Sequence, residues 1–195
     1  IWSHALGLFL SLLAFPFLII KAFTYTGFWQ VSSFIIYGLS LIVLYAASTF
    51  YHASVNPKNR RKLNIFDHAA IYALIAGSFT PFCIIALDSD LCWYLFVFVW
   101  IFALIGIILK LFFTGRFDKL STAMYLLMGW QVVFFIKPLM KVLTDFGLNL
   151  LIIGGVFYTV GAMLYSIKKI PYNHAIFHLF VLLGSASHFF ALYTL

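Results

Sequence analysis

The chain has 195 residues, of which 65% are hydrophobic and 9% are charged. Soluble globular proteins carry about 25% charged residues, so this composition excludes a soluble domain, a disordered region and a nucleic-acid-binding protein. The formal net charge of +7 arises from 12 Lys and Arg residues against five Asp residues. Because the basic residues stand between apolar runs, we interpret them as signals of membrane topology.

Seven apolar runs follow one another along the chain, and a helix needs about 20 such residues to cross the hydrocarbon layer. The runs lack the strict alternation of a membrane β-barrel. We therefore predict an all-α integral membrane protein in which residues 1–195 form one seven-helix transmembrane domain of the plasma (inner) membrane. The predicted spans are 2–20, bent or thinned near Pro16, then 28–51, 69–87, 91–112, 122–136, 148–165 and 174–193.

The basic residues also predict the orientation of the bundle. Nine of them fall in the turns after spans two, four and six, and three fall on the opposite side. The nine are Lys58, Arg60, Arg61, Lys62, Lys110, Arg116, Lys119, Lys168 and Lys169, and the three are Lys21, Lys137 and Lys141. The positive-inside rule then places the N-terminus in the cytoplasm and the C-terminus outside. Asp88, Asp90 and Asp145 fall on the predicted outer side.

The two cysteines, Cys83 and Cys92, match no metal-binding spacing. Two readings stay open for them. They are either two thiols in the lipid region, or a disulfide across the short turn between spans three and four.

Six histidines and one aspartate stand out, because an ionisable group at membrane depth costs about 2.5 to 3.5 kcal/mol and is therefore a functional candidate. His174 and His178 are spaced i, i+4, so they share one helix face and can bind one metal ion. His52, at the end of span two, can complete a three-histidine set, the donor pattern of a catalytic zinc site with one open position. Asp67, at the start of span three, can orient a zinc-bound water or accept its proton. The hydroxyl of Ser48, one turn before His52, can hold a ligand or a substrate oxygen.

Each of these candidates has a purely structural alternative. His4 and His68 can be interfacial residues at helix ends, and Asp67 can cap the N-terminus of span three. His188 lies roughly 15 Å deeper along its helix than His178 and can be a hydrogen-bonded packing residue. Ser48 can be a small residue at a helix contact.

Several stretches of the chain resemble the hemolysin III family. The first group comprises residues 48–52, 66–71 and 77–82, the second 117–122 and 125–130, and the third 174–181, 184–185 and 188–189. His4 within residues 3–7 also fits the family pattern. The resemblance extends over nearly the whole chain, and the family is similar to the progestin and adiponectin receptors and, more remotely, to the alkaline ceramidases.

The resemblance implies a seven-helix bundle with a zinc ion near the cytoplasmic face. Matched residue by residue, it implies that His52, His174 and His178 are the zinc ligands and that Asp67 contacts the zinc-bound water. Ser48 matches a serine shared with the ceramidase-like superfamily. The remaining histidines, His4, His68 and His188, are candidates for supporting positions around the metal.

Three functions are compatible with these features. The favoured one is a zinc-dependent hydrolase of lipid amide or ester bonds, with a lipid substrate that enters between the helices. The second is a non-enzymatic membrane protein, either a pore-forming cytolysin or a sensor that maintains membrane lipid state. The third is a structural zinc ion that ties spans two and seven together, with Asp67 as its fourth ligand. We expect membrane lipids as partners and no nucleic acid, and the oligomeric state stays open.

Overall fold

The computed structural model describes residues 2–86 and 90–195, and this part of the chain is helical and contains no strand. The helices are α1 (Trp2–Ala22), α2 (Phe28–Ala53), α3 (Pro57–Ala86), α4 (Asp90–Phe113), α5 (Asp118–Trp130), α6 (Ile136–Val142), α7 (Asp145–Ser166) and α8 (Asn173–Tyr193). A short 3₁₀ segment, Gln131–Phe135, joins α5 to α6.

Within the described residues, seven helical segments are long and apolar enough to cross a membrane. Six of them are single helices, and the other, Leu120–Val142, combines α5, the 3₁₀ segment and α6. The predicted all-α integral membrane protein with seven spans is therefore confirmed. Its orientation and its description as one domain stay predictions, as do the assignments that fall on Leu87 and Asp88, which lie outside the described residues.

Helix α3 begins well before its predicted start at residue 69. Its first turn opens at Pro57, a favoured residue at the first helical position, and the Asn56 side chain accepts a hydrogen bond from the Lys58 N–H at 3.0 Å. The predicted basic turn is thus the exposed first part of α3. Asp67 and His68 lie inside the helix, so the alternative that Asp67 caps the N-terminus of this helix is wrong. Hydropathy marks where a chain enters the membrane, whereas helical hydrogen bonding continues into the polar flank.

The fifth span also differs from the prediction, which ended it at residue 136. The 3₁₀ segment changes the hydrogen-bond register in mid-span, and the helix then continues to Val142. Lys137 and Lys141 consequently lie in α6 and not in a turn. Lys110, also assigned to a turn, is a buried residue of α4, and α1 runs through Pro16 without a break. A hydropathy profile is insensitive to such changes of helical type.

The closest helix packing is in the pairs α2–α3 and α7–α8, followed by α1–α2 and α3–α4. Gly77 of α3 lies directly on the Ser40 side chain of α2, and a Cβ at that position would overlap it. Such close backbone approach is typical of membrane helices. Helix α8 also reaches α1, whereas α5 packs loosely against α3 and α7. The loose packing leaves space inside the bundle beside α5.

Cys83 is buried in α3. The side chain of Cys92 lies outside what the structure describes. Both alternatives, two thiols and a disulfide, therefore stay predictions.

Candidate metal centre

Three histidines from two helices meet at one end of the bundle. His52 lies in the last turn of α2, and His174 and His178 lie in the first two turns of α8. One ring nitrogen from each lies within 4.8 Å of the others. The ring centroids are 4.5 Å apart for His174 and His178, and 4.9 Å and 5.0 Å apart for the two pairs that include His52. The predicted metal-ligand set is therefore assembled in space.

The start of α8 is fixed to the end of α7. The Asn173 side chain donates to the Tyr165 backbone carbonyl at 2.9 Å, and the preceding Tyr172 takes a left-handed conformation, with φ at 58°. His174 follows directly and packs edge-on against the Tyr165 ring at 5.4 Å. These contacts fix where α8 begins and therefore where His174 and His178 lie.

The donor set fits a divalent metal ion such as zinc. Nε2 of His52 is buried and has no hydrogen-bond partner among the described residues, and a buried polar atom in this state costs about 1 to 3 kcal/mol. A metal ion would remove that cost. One ion could bind all three imidazoles, because their ligand nitrogens already lie within 4.8 Å of one another.

Asp67 and Ser48 lie together beside the cluster. Asp67 is 7% exposed and Ser48 is fully buried. The carboxylate lies next to the Ser48 hydroxyl, although the pair falls short of full hydrogen-bond geometry and the hydroxyl has no other partner in the described part of the chain. Asp67 is not a member of the group of mutually close donors. The carboxylate therefore lies outside the set of three nitrogens and next to Ser48, one turn before His52 on α2.

The remaining histidines take three different positions. His4 is buried and stacks on His178, with ring centroids 3.5 Å apart and planes 13° apart. His68 pairs through Nδ1 with the Asn64 carbonyl of its own helix at 2.8 Å. His188 lies far from the cluster, and its Nε2 pairs with the Leu151 carbonyl of α7 at 3.2 Å. This contact is compatible with the alternative prediction that His188 is a hydrogen-bonded packing residue.

A cavity of about 370 Å³ extends from the cluster into the bundle. Asp67, Ser48, His174 and His178 line one end, and the wall continues along α8 to His188, a rise of about 21 Å. Most of the wall is formed by apolar residues of α3, α5, α7 and α8. The cavity is therefore a long apolar chamber that is polar at the histidine end.

Sequence reasoning missed two groups of residues around the site. The Ser3 hydroxyl lies 3.4 Å from Nδ1 of His178, and the side chain of Asn173 secures the start of α8. Both residues are sequence neighbours of histidines already singled out, His4 and His174, and that adjacency was the available signal. The second group is a hydroxyl cluster of Tyr45, Tyr158 and Ser185 in the core, where oxygens lie 2.8 Å and 2.9 Å from Ser185 Oγ. Because its members come from three helices, no spacing in the sequence indicates it.

Comparison with known proteins agrees with this architecture. The family model described as "Haemolysin-III related" matches residues 1–189. The chain belongs to the haemolysin III family. The hemolysin-3 homolog of Bacillus subtilis is 47% identical over 188 residues, which cover 96% of this chain and 88% of the relative. Hemolysin-3 of Bacillus cereus is 46% identical over 188 residues, covering 96% and 86% of the two chains.

A more distant relative comes from animals. The human monocyte to macrophage differentiation factor is 29% identical over 171 residues, which cover 85% of this chain and 71% of the relative. No solved structure gave a significant match. Membership of the haemolysin III family, together with the seven apolar helices, makes this chain a multi-pass membrane protein, as predicted.

Proposed function

We propose that this haemolysin III protein is a zinc-dependent intramembrane hydrolase of lipid amide or ester bonds. The observation that carries the proposal is the cluster of His52, His174 and His178, two of which, His174 and His178, line the polar end of a long apolar cavity. Three imidazoles with one open position are the ligand pattern of catalytic zinc. When bound, zinc supplies a Lewis acid that polarises a carbonyl oxygen and acidifies a water molecule.

The cavity favours a lipid as the substrate. An apolar chamber about 21 Å long, measured as the helical rise from His174 to His188, exceeds half of a hydrocarbon layer of about 30 Å. An acyl chain can lie along α8 with its amide or ester linkage at the histidine end. Small polar substrates would leave the apolar wall without contacts.

Asp67 is the residue that we assign to proton transfer. Its carboxylate lines the cavity beside the histidines but outside the set of three nitrogens, which is a suitable place for a general base. It would take a proton from the attacking water and deliver it to the leaving amine or alcohol, so that the products are a carboxylic acid and an amine or alcohol. Ser48, next to Asp67, would hold the carboxylate in position or bind a substrate oxygen.

The substrate would enter sideways between α5 and α7. These helices pack loosely along the cavity wall, and across the gap the Trp130 indole N–H donates to the Thr159 hydroxyl at 3.1 Å. Gly129 and Gly155 line the cavity and have nothing within contact distance of an added Cβ. A lipid tail can pass there without crossing the polar face of the membrane.

The alternative functions have less support. A structural zinc ion would gain from a fourth protein ligand, but Asp67 is not among the mutually close donors. A pore, as the relatives' name hemolysin suggests, needs a continuous polar lining, whereas the cavity of this chain has an apolar wall. A pore would therefore require several chains that together form a polar path across the membrane.

The test uses purified, zinc-loaded protein in detergent or nanodiscs with a panel of lipid amides and esters. We expect release of a fatty acid by the wild type and loss of release in His178→Ala and Asp67→Asn. If no lipid on a broad panel is hydrolysed, the hydrolase proposal fails. Zinc-independent ion flux across liposomes containing the protein would instead favour the pore.

A further inference from the structure

Helix α1 contributes no residue to the proposed ligand set, yet two of its first residues contact a ligand. We propose that Ser3 and His4 position His178 for metal binding, Ser3 through a hydrogen bond to Nδ1 and His4 by stacking on the ring. This inference rests on the proposed metal centre and adds α1 to it. Both are positioning residues, because they act through His178 and do not bind the metal.

The Ser3 contact selects the metal-binding nitrogen of His178. Metal-ligating imidazoles usually pair their second ring nitrogen with an oxygen, which fixes the tautomer and the ring orientation. The Ser3 hydroxyl lies 3.4 Å from Nδ1 of His178. In the tautomer in which Nδ1 donates its proton to Ser3, Nε2 keeps its lone pair and is the nitrogen available to a metal ion.

His4 fixes the plane of the same ring. Its imidazole covers one face of His178 at 3.5 Å and meets the Tyr45 ring edge-on at 5.2 Å. The Tyr45 hydroxyl in turn donates to Ser185 of α8 at 2.8 Å. A closed series of contacts therefore runs from α8 through α2 and α1 back to His178.

The sequence allows this arrangement because Gly7 follows one turn after His4. A Cβ at Gly7 would overlap the Tyr45 ring, so the glycine lets α1 approach α2 closely enough for His4 to reach His178. Both nitrogens of His4 are buried and have no hydrogen-bond partner in the described residues. The contact with His178 is made by the ring face, as the stacking shows, and a phenyl ring can reproduce it.

The experiment measures zinc affinity by chelator competition and the visible spectrum of the cobalt(II)-loaded full chain. We expect Ser3→Ala to weaken zinc binding about 10- to 100-fold, the usual effect of removing such a partner, and to change the cobalt spectrum at saturating metal. Ser3→Thr should restore both. Ser11→Ala is the matched control, since Ser11 is a buried serine of α1 that donates to its own helix at Leu8.

For the stacking contact, His4→Ala should weaken zinc binding and His4→Phe should retain it. Wild-type affinity and an unchanged cobalt spectrum in both Ser3→Ala and His4→Ala would overturn the inference while leaving the metal centre intact. A loss in His4→Phe as large as in His4→Ala would overturn the stacking role. A wild-type chain that binds neither ion would overturn the inference and the proposed function together.

Discussion

The imidazole rings of His52 and His178 lie 5.0 Å apart, although their helices, α2 and α8, lie near opposite ends of the sequence. A metal ion held between them would join α2 to α8 across the bundle. An ion that serves the proposed hydrolysis would then also stabilise the fold, and loss of one ligand is expected to lower the metal content.

Replacement of a single histidine tests whether metal binding depends on the complete set of three ligands. We expect His178→Ala to reduce bound zinc from about one ion per chain to nearly none, because two imidazoles leave the ion weakly held. Metal content after purification, measured by mass spectrometry, checks this. His188→Asn is the control, because His188 pairs with the Leu151 carbonyl far from the cluster. Equal zinc in wild type and His178→Ala would contradict the assignment.

Asp67→Asn separates metal binding from chemistry. The amide has nearly the same shape but is a poor base, so zinc content should stay at the wild-type level while lipid turnover falls about 10²- to 10⁴-fold. Turnover and metal content are measured on the same preparation. Loss of zinc in this variant would indicate that Asp67 is itself a ligand and would favour the structural site.

The sequence alone predicted the seven spans, because each apolar run is long and well separated from the next. It also predicted the three histidines, since the i, i+4 spacing of His174 and His178 defines a shared face. It could not locate the start of α3, because residues 58–62 are all polar and yet helical. Ser3 escaped notice for a different reason, since its contact with His178 depends on how α1 lies against α8, which no local pattern encodes.

Two adjacent glycines of α7 offer a matched test of the packing around His188. A Cβ at Gly154 would overlap the His188 ring, whereas a Cβ at Gly155 has open space. We expect Gly154→Ala to destabilise the protein by about 1 to 3 kcal/mol through overpacking, and Gly155→Ala to have little effect. Thermal unfolding in detergent measures both. Equal unfolding temperatures would show that His188 adapts freely and is no fixed contact between α7 and α8.

The proposed route between α5 and α7 is tested by a bulky residue at Gly155. Gly155→Leu should occupy part of the cavity and slow the turnover of long-chain lipids at least about tenfold, since a side chain of this size fills a space that the acyl tail needs. Zinc content should not change. Val156→Leu adds bulk to the neighbouring residue, which is exposed on the outer surface of α7, and should leave turnover unaffected. Similar kinetics in the two variants would argue against this route.

The predicted orientation can be measured with single cysteines in a chain that carries Cys83→Ala and Cys92→Ala. Val55 and Thr26 are exposed in turns at opposite ends of α2. The positive-inside rule predicts that a membrane-impermeant maleimide added outside intact cells labels Thr26→Cys and spares Val55→Cys. Labelling of Val55→Cys alone would reverse the assigned orientation.

The most direct measurement of the central claim is X-ray absorption at the zinc edge of the purified wild-type protein. Three imidazole nitrogens and one further oxygen at about 2.0 Å are the predicted result, with one zinc ion per chain. A preparation that contains no zinc and does not take it up, or an ion with fewer than three imidazole ligands, would contradict the proposed centre.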